Sequence, residues 1–173
     1  MSKIIVLFFC LFSLNISAQE SLTEEQKVEF QNRVRQKVDE FQSSLSNIVN
    51  NQLKHEIRKE EVTKLLKLFM GEGGPYDYYD EEADARIHST GVKMQTSSVY
   101  KTNSQSQKLK NYIYKLYNPD TRKSTLPYTK IVIESVSAVR VDNFEKVGDA
   151  YECVAYFRQK FIGYRDGKVW YSD

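Results

Sequence analysis

The feature that most constrains this chain lies between Tyr128 and Tyr171, where two long β-rich runs follow one another with turn signals between and after them. The runs are YTKIVIESVSAVRV (128–141) and AYECVAYFRQKFIGY (150–164). VGD (147–149) marks the first turn, and RDG (165–167) sends the chain back as KVWYS (168–172). Side chains alternate across a strand, so 150–164 puts Tyr151, Cys153, Ala155, Phe157 and Phe161 on one face. The other face carries Glu152, Val154, Tyr156, Arg158, Lys160 and Ile162. The first set is apolar and belongs against a core; the second is mixed, as in an antiparallel sheet wetted on one side. In 128–141, Ile131, Ile133, Val139 and Val141 share one parity, and Val132, Val136 and Ala138 the other, so its start is expected to be buried on both faces. Asp166-Gly167 is a tight-hairpin signal. At least three antiparallel strands follow, and the rest of the chain is expected to cover them.

Upstream, the period changes from two to between three and four. Phe30, Val34, Val38, Phe41, Leu45, Ile48 and Val49 predict a helix from about 22 to about 52, with Ser21-Leu-Thr-Glu-Glu offering a capping residue followed by acids for the first turn. Val62, Leu65, Leu66 and Phe69 predict a second helix over roughly 58–70, stopped by the glycines and proline of Gly71–Pro75. Leu109, Tyr112, Ile113, Leu116 and Tyr117 predict a third over 106–117, ended by Asn118-Pro119. Between the last two lie an irregular acidic segment, 71–85, and a strand or hairpin over 85–100. Gly91 is its bend, and Ile87, Val92, Met94 and Val99 are its core candidates.

The first 18 residues stand apart from the fold. Lys3 gives a positive start, IIVLFFCLFSL an apolar centre and NISAQ a polar end with small residues, the pattern of a secretory signal peptide cut after Ala18. The apolar run is shorter than the ~20 residues a membrane span needs. The mature chain, 19–173, is expected to be a single domain without a transmembrane segment, periplasmic or extracellular. The strand that opens at Lys168 leaves room for the natural chain to continue past Asp173. Losing Lys3 leaves 24 basic against 23 acidic residues, so charge gives no reason to expect a polyanion, and no nucleic-acid partner is expected. Cys153 is then the sole cysteine, which excludes an internal disulfide and reads as a buried structural thiol.

Two segments concentrate charge of one sign. Glu72, Asp77, Asp80, Glu81, Glu82 and Asp84 lie among tyrosines without the alternate spacing of a calcium loop, and a solvated acidic loop is the simpler reading. Seven basic residues between Lys101 and Lys130, set against Asp120 alone, read as a solvated helix face; pairing with the acidic loop is the alternative.

Helix, helix, strand, helix and then a strand meander closing on VGDAYECVAYFRQKFIGYRDGKVWYSD resembles the NTF2-like, or cystatin-like, α+β superfamily, and within it exported proteins of bacterial envelopes. The resemblance rests on element order and on the Gln159–Gly167 stretch, not on a catalytic signature. It implies three helices packed on a bent antiparallel sheet that forms a cone-shaped pocket. By the same resemblance, an enzyme of this kind would use an Asp or His with tyrosines inside the cone. Tyr112, Tyr117 and Tyr156 are the candidate hydroxyls for a ligand, and His88 or Asp84 the candidate base.

Other chemistries lack their residues. There is no GxSxG motif, and only His55 and His88 are available as imidazoles. GEGGP closes a helix instead of opening one, which argues against a phosphate loop. The two histidines have no zinc-ligand spacing, and neither a metal nor a cofactor is expected. Two readings remain. The favoured one is a non-catalytic module that binds a protein (homodimer formation included), a peptide, a glycan or a small ligand. The alternative is a small-molecule isomerase or dehydratase working by proton transfer. The signal pattern itself is directly testable. Expressed with its leader in a bacterium, the protein is expected outside the cytoplasm with Gln19 at its N-terminus, whereas soluble cytoplasmic protein retaining Met1 would refute export.

Overall fold

The computed structural model describes residues 22–80, 83–96, 105–117, 128–147 and 150–172. The leader, Ser21, Glu81-Glu82, Val99, Asn118-Pro119 and the Gly148-Asp149 part of the first turn lie outside the described residues. The described fold is α+β: three α-helices and several antiparallel sheets, whose described strands form no closed barrel.

Helix α1 (Glu24–Val49) is the backbone of the molecule. Its cap is Thr23: the Thr23 hydroxyl accepts from the Gln26 amide at 3.2 Å, and the Gln26 side chain accepts from the Thr23 amide at 2.9 Å. Two amide groups that the first turn leaves unpaired are satisfied reciprocally. All seven apolar positions of its stripe are buried. Helix α2 (His55–Leu66) begins and ends earlier than its apolar spacing predicts. Phe69 is still buried, but it belongs to the turn that leads into a short 3-10 segment, Met70–Gly73.

The acidic segment is more regular than expected. Strands β1 (Tyr76–Asp80) and β2 (Ala85–Ser89) pair antiparallel, Tyr76 opposite Ser89 and Asp80 opposite Ala85. Tyrosine supplies the β preference that the carboxylates lack. Strand β3 (Lys93–Thr96) pairs with β4 (Gln105–Lys108), so the first turn predicted for the third helix is strand instead. Helix α3 runs over Leu109–Tyr117, and its apolar side turns mainly onto α1 and α2 instead of the large sheet. Leu109, Ile113, Leu116 and Tyr117 are buried there.

The two long β runs are each broken once, at the same level. Strands β5 (Lys130–Ser135) and β6 (Arg140–Val147) come from the first run, β7 (Ala150–Tyr156) and β8 (Gln159–Arg165) from the second, and β9 (Lys168–Ser172) follows. β5 pairs with β8 and β6 with β7, so the four form one bent ribbon. Ser135 is opposite Gln159 and Arg140 opposite Tyr156, which sets four residues, 136–139, against two, 157–158. Surplus residues on one strand bend it, as in any bulge. The backbone at the bend stays satisfied: the amides of Val136 and Ser137 donate to the Arg158 carbonyl, and the Arg158 amide donates to the Ser137 hydroxyl. A second irregularity, between Asp142 and Glu145, puts Asn143 at a φ of 56°. The β8–β9 hairpin closes at Asp166-Gly167, with φ values of 50° and 78°, as the sequence predicts.

The alternation holds along β7, where Cys153 and Ala155 are buried, and continues through Phe157 into Gln159. It fails at Ile162, assigned by parity to the wetted face but only 8% exposed. Ile162 does face away from the helices, opposite Val132. Its strand, however, lies between β5 and β9, so neighbours on both sides cover it. Gly163 is buried for another reason. The Tyr128 ring crosses it so closely that a Cβ there would sit 2.2 Å from the ring. Phe157 and Phe41 belong to one core, together with Leu65, Ile113 and Ile131. Phe157→Ala is therefore expected to cost about 3–5 kcal/mol in urea melts; a loss below about 1 kcal/mol would mean the site collapses without a cavity.

Candidate functional site

The residues singled out from the sequence are spread over α3, β7 and the β1–β2 hairpin. Tyr117, at the end of α3, is buried, and its hydroxyl lies 2.9 Å from His55 Nε2 at the start of α2. The ring also lies under the Arg58 guanidinium, 5.6 Å from its centroid. Arg58 Nε donates to the Ile48 carbonyl at 2.7 Å, and its Nη2 donates to the Tyr117 carbonyl at 2.8 Å. These carbonyls belong to the last turns of α1 and α3, where the helix leaves acceptors unpaired and carries partial negative charge. One cation thus ties two helix ends to a third helix. Burial lowers the Arg58 pKa, and the Tyr117 phenol opposes that effect.

Tyr112 lies one turn earlier on α3, half-buried against the main core. Burial of its phenol pushes its pKa up to about 12, with Tyr128 nearby adding to the effect. Tyr128 in turn packs edge-on against Phe161 at 5.6 Å, and Phe161 against Tyr171 at 6.1 Å. This aromatic row joins α3 to the β5-β8-β9 sheet.

Tyr156 faces the opposite way. It shares the outer parity of β7 with Val154, while Cys153 and Ala155 face the core. The Arg140 guanidinium covers its ring at 4.9 Å and is also paired with Asp142 at 2.7 Å. His88 lies on the exposed β1–β2 hairpin, with its Nδ1 2.6 Å from Asp77, the residue opposite it in the register. Asp84 accepts from the Tyr79 hydroxyl in the same hairpin. Tyr112 and Tyr117 thus share a helix, whereas Tyr156 and His88 are held by partners elsewhere.

Sequence reasoning passed over two polar groups. Glu61 on α2 is 9% exposed; its carboxylate accepts from the Ser44 hydroxyl at 2.9 Å and from Lys64 at 2.8 Å. Burial alone would raise its pKa, but the bonds from Lys64, Ser44 and Asn47 outweigh burial and hold it below the usual carboxylate range. Gln42 and Gln159 join side chain to side chain at 2.9 Å, and the Ser135 hydroxyl donates to Gln42 at 3.1 Å. An isolated Glu or Gln in an apolar stripe gives no sequence signal of such a partner, because the pairs come from distant parts of the chain.

Among the described residues, no three of His, Cys, Asp or Glu converge as metal ligands would. No helix there is long and apolar enough to cross a membrane. No family model, curated protein or solved structure matches the chain.

The Tyr112 phenol has a measurable consequence. A phenol ionises near pH 10 in an unfolded chain, whereas that of folded Tyr112 ionises at about 12. Its contribution is fully present below pH 10 and is lost as the pH rises through 12, a loss of about 2–3 kcal/mol at most. Urea melts between pH 9 and 12 are expected to show that loss in the wild type and a smaller one in Tyr112→Phe. Equal slopes would mean that the phenol is as well solvated folded as unfolded.

Proposed function

We propose that this chain is a non-catalytic, NTF2-like binding module exported to the bacterial envelope, which takes a protein, peptide or glycan on the outer face of its bent sheet. One observation carries the reading: the outer face combines exposed cations with aromatic rings. Arg140 stacks on Tyr156, and Lys130 lies 5.8 Å from the Tyr164 ring centroid. Arg158 and Lys160 are exposed beside them at the bend. Such stacked pairs are individually weak, about 0.5–1 kcal/mol at exposed sites. They do, however, hold long side chains extended over rings, which lowers the entropy lost when a partner arrives.

The proton-transfer alternative draws support from the Tyr117–His55 pair alone. His55 is exposed at the start of α2, and the Tyr117 carbonyl is engaged as a helix-end acceptor of Arg58. That arrangement serves packing of α2 on α3 without requiring a substrate. The bent ribbon and the helices on its inner side favour the NTF2-like cone, with the Tyr112–Tyr128–Phe161 row on that side.

The two readings separate in one experiment. The doubly reversed variant Arg158→Glu/Lys160→Glu and Tyr117→Phe are compared with wild type for capture of envelope proteins and of arrayed glycans. Binding is expected to fall at least about tenfold in the charge-reversed protein, a change of about 1.4 kcal/mol, and to stay within about twofold in Tyr117→Phe. Loss confined to Tyr117→Phe would move the site to the α2–α3 junction. No change in either would leave the outer face without a binding role.

A further inference from the structure

We propose that the β6–β7 hairpin is a hinged arm that lifts off the first half of α1 as a unit while the rest of the molecule stays folded. Most of the described buried apolar residues fall into two clusters, not one. The larger holds the second half of α1 from Val38 onward, with α2, α3, Ile131 and Phe157. The smaller consists of Val34, Val141, Cys153 and Ala155, with Phe144 packed against it. Phe30 extends that small cluster, its ring 6.3 Å from Phe144 and 5.9 Å from Tyr151.

The boundary between the clusters coincides with the bend. Both strands of the ribbon lose regular pairing at 136–139 and 157–158. Beyond that boundary, α1 is held to β8 and β5 by a polar contact in which Gln42 bonds Gln159 and Ser135. That contact lies on the side of the bend that stays folded, so opening of the arm leaves it intact. Val139 is the apolar link, packing against both clusters. A two-stranded hairpin is marginal without a surface to pack on, and here that surface is Phe30 and Val34. Cooperative opening of such a unit, below the free energy of global unfolding, is the expected behaviour of a small separate core. The inference does not depend on the function proposed above.

The thiol of Cys153, 7% exposed inside the small cluster, reports the opening directly. The probe is Ellman's reagent, applied under native conditions to the chain from Gln19 to Asp173, which contains every described residue and Cys153 as its sole cysteine. If the arm opens alone, labelling will run at least about tenfold faster than global unfolding allows. Its rate will also rise with urea on a slope less than about half that of the global transition. Phe30→Ala, in the surface the arm packs on, is expected to accelerate labelling strongly. Leu65→Ala, in the main core, is expected to lower global stability while leaving labelling unchanged. Hydrogen exchange of the β6–β7 amides relative to those of β5 gives the same comparison without a thiol. Labelling that follows global unfolding with the same urea slope, and that both substitutions accelerate alike, would overturn the proposal.

Discussion

An amphipathic helix must be covered along its whole length, and α1, at 26 residues, is about 39 Å long. Among the described residues the longest strand, β6, has eight residues and spans about 27 Å, so no single described strand pair reaches that far. The architecture follows from that mismatch. The C-terminal half of α1 is enclosed by α2, α3 and the β5-β8-β9 sheet, and the N-terminal half is left to β6 and β7. The ribbon reaches both halves because it bends between them, and the surplus residues at 136–139 supply the bend. Each remaining feature answers a local need created by that division, from the Thr23 cap at the exposed helix start to the Arg58 cation at the two enclosed helix ends.

Polarity is distributed accordingly. A glutamine at a buried position of α1 would be destabilising with its amide unpaired, at about 1–3 kcal/mol. Gln42 escapes this penalty because Gln159 and Ser135 meet it. The pairing also fixes which residue of β8 stands beside which turn of α1, a registration that interchangeable apolar contacts would leave loose. Glu61 plays a comparable part between α1 and α2 through Ser44. The rings are divided between the two sides of the sheet: Tyr128, Phe161 and Tyr171 pack together on the inner side, while Tyr156 and Tyr164 carry cations on the outer.

The elements legible in the sequence were those whose burial follows a local period. The α1 stripe, the apolar side of β7 and the Asp166-Gly167 turn all depend on spacing within one element. What escaped depended on neighbours. Ile162 is buried by strands on either side of it, which parity along its own strand does not register. The 105–108 segment is a strand because β3 lies opposite, although its continuation into Leu109 reads as helix. The acidic 76–80 segment is a strand because its tyrosines and its partner β2 outweigh its carboxylates. The proposed site residues were the least legible part, since hydroxyls and imidazoles have no periodicity. Tyr112 and Tyr117 were linked by their shared helix stripe, whereas the partners His55, Arg140 and Asp77 could be assigned only from three dimensions.

Tyr128 and Gly163 make one more point about how this sheet tolerates change. The ring occupies the volume that any side chain at 163 would need, so the two positions behave as a single steric unit. A larger residue at 163 is compatible with the fold only if the aromatic at 128 shrinks or swings away, and swinging away would also remove its edge contact with Phe161. Growth at 163 is therefore conditional on the residue at 128. A larger residue at 163 should be accepted only together with a smaller one at 128, a one-way coupling between residues 35 apart in sequence that arises from excluded volume alone.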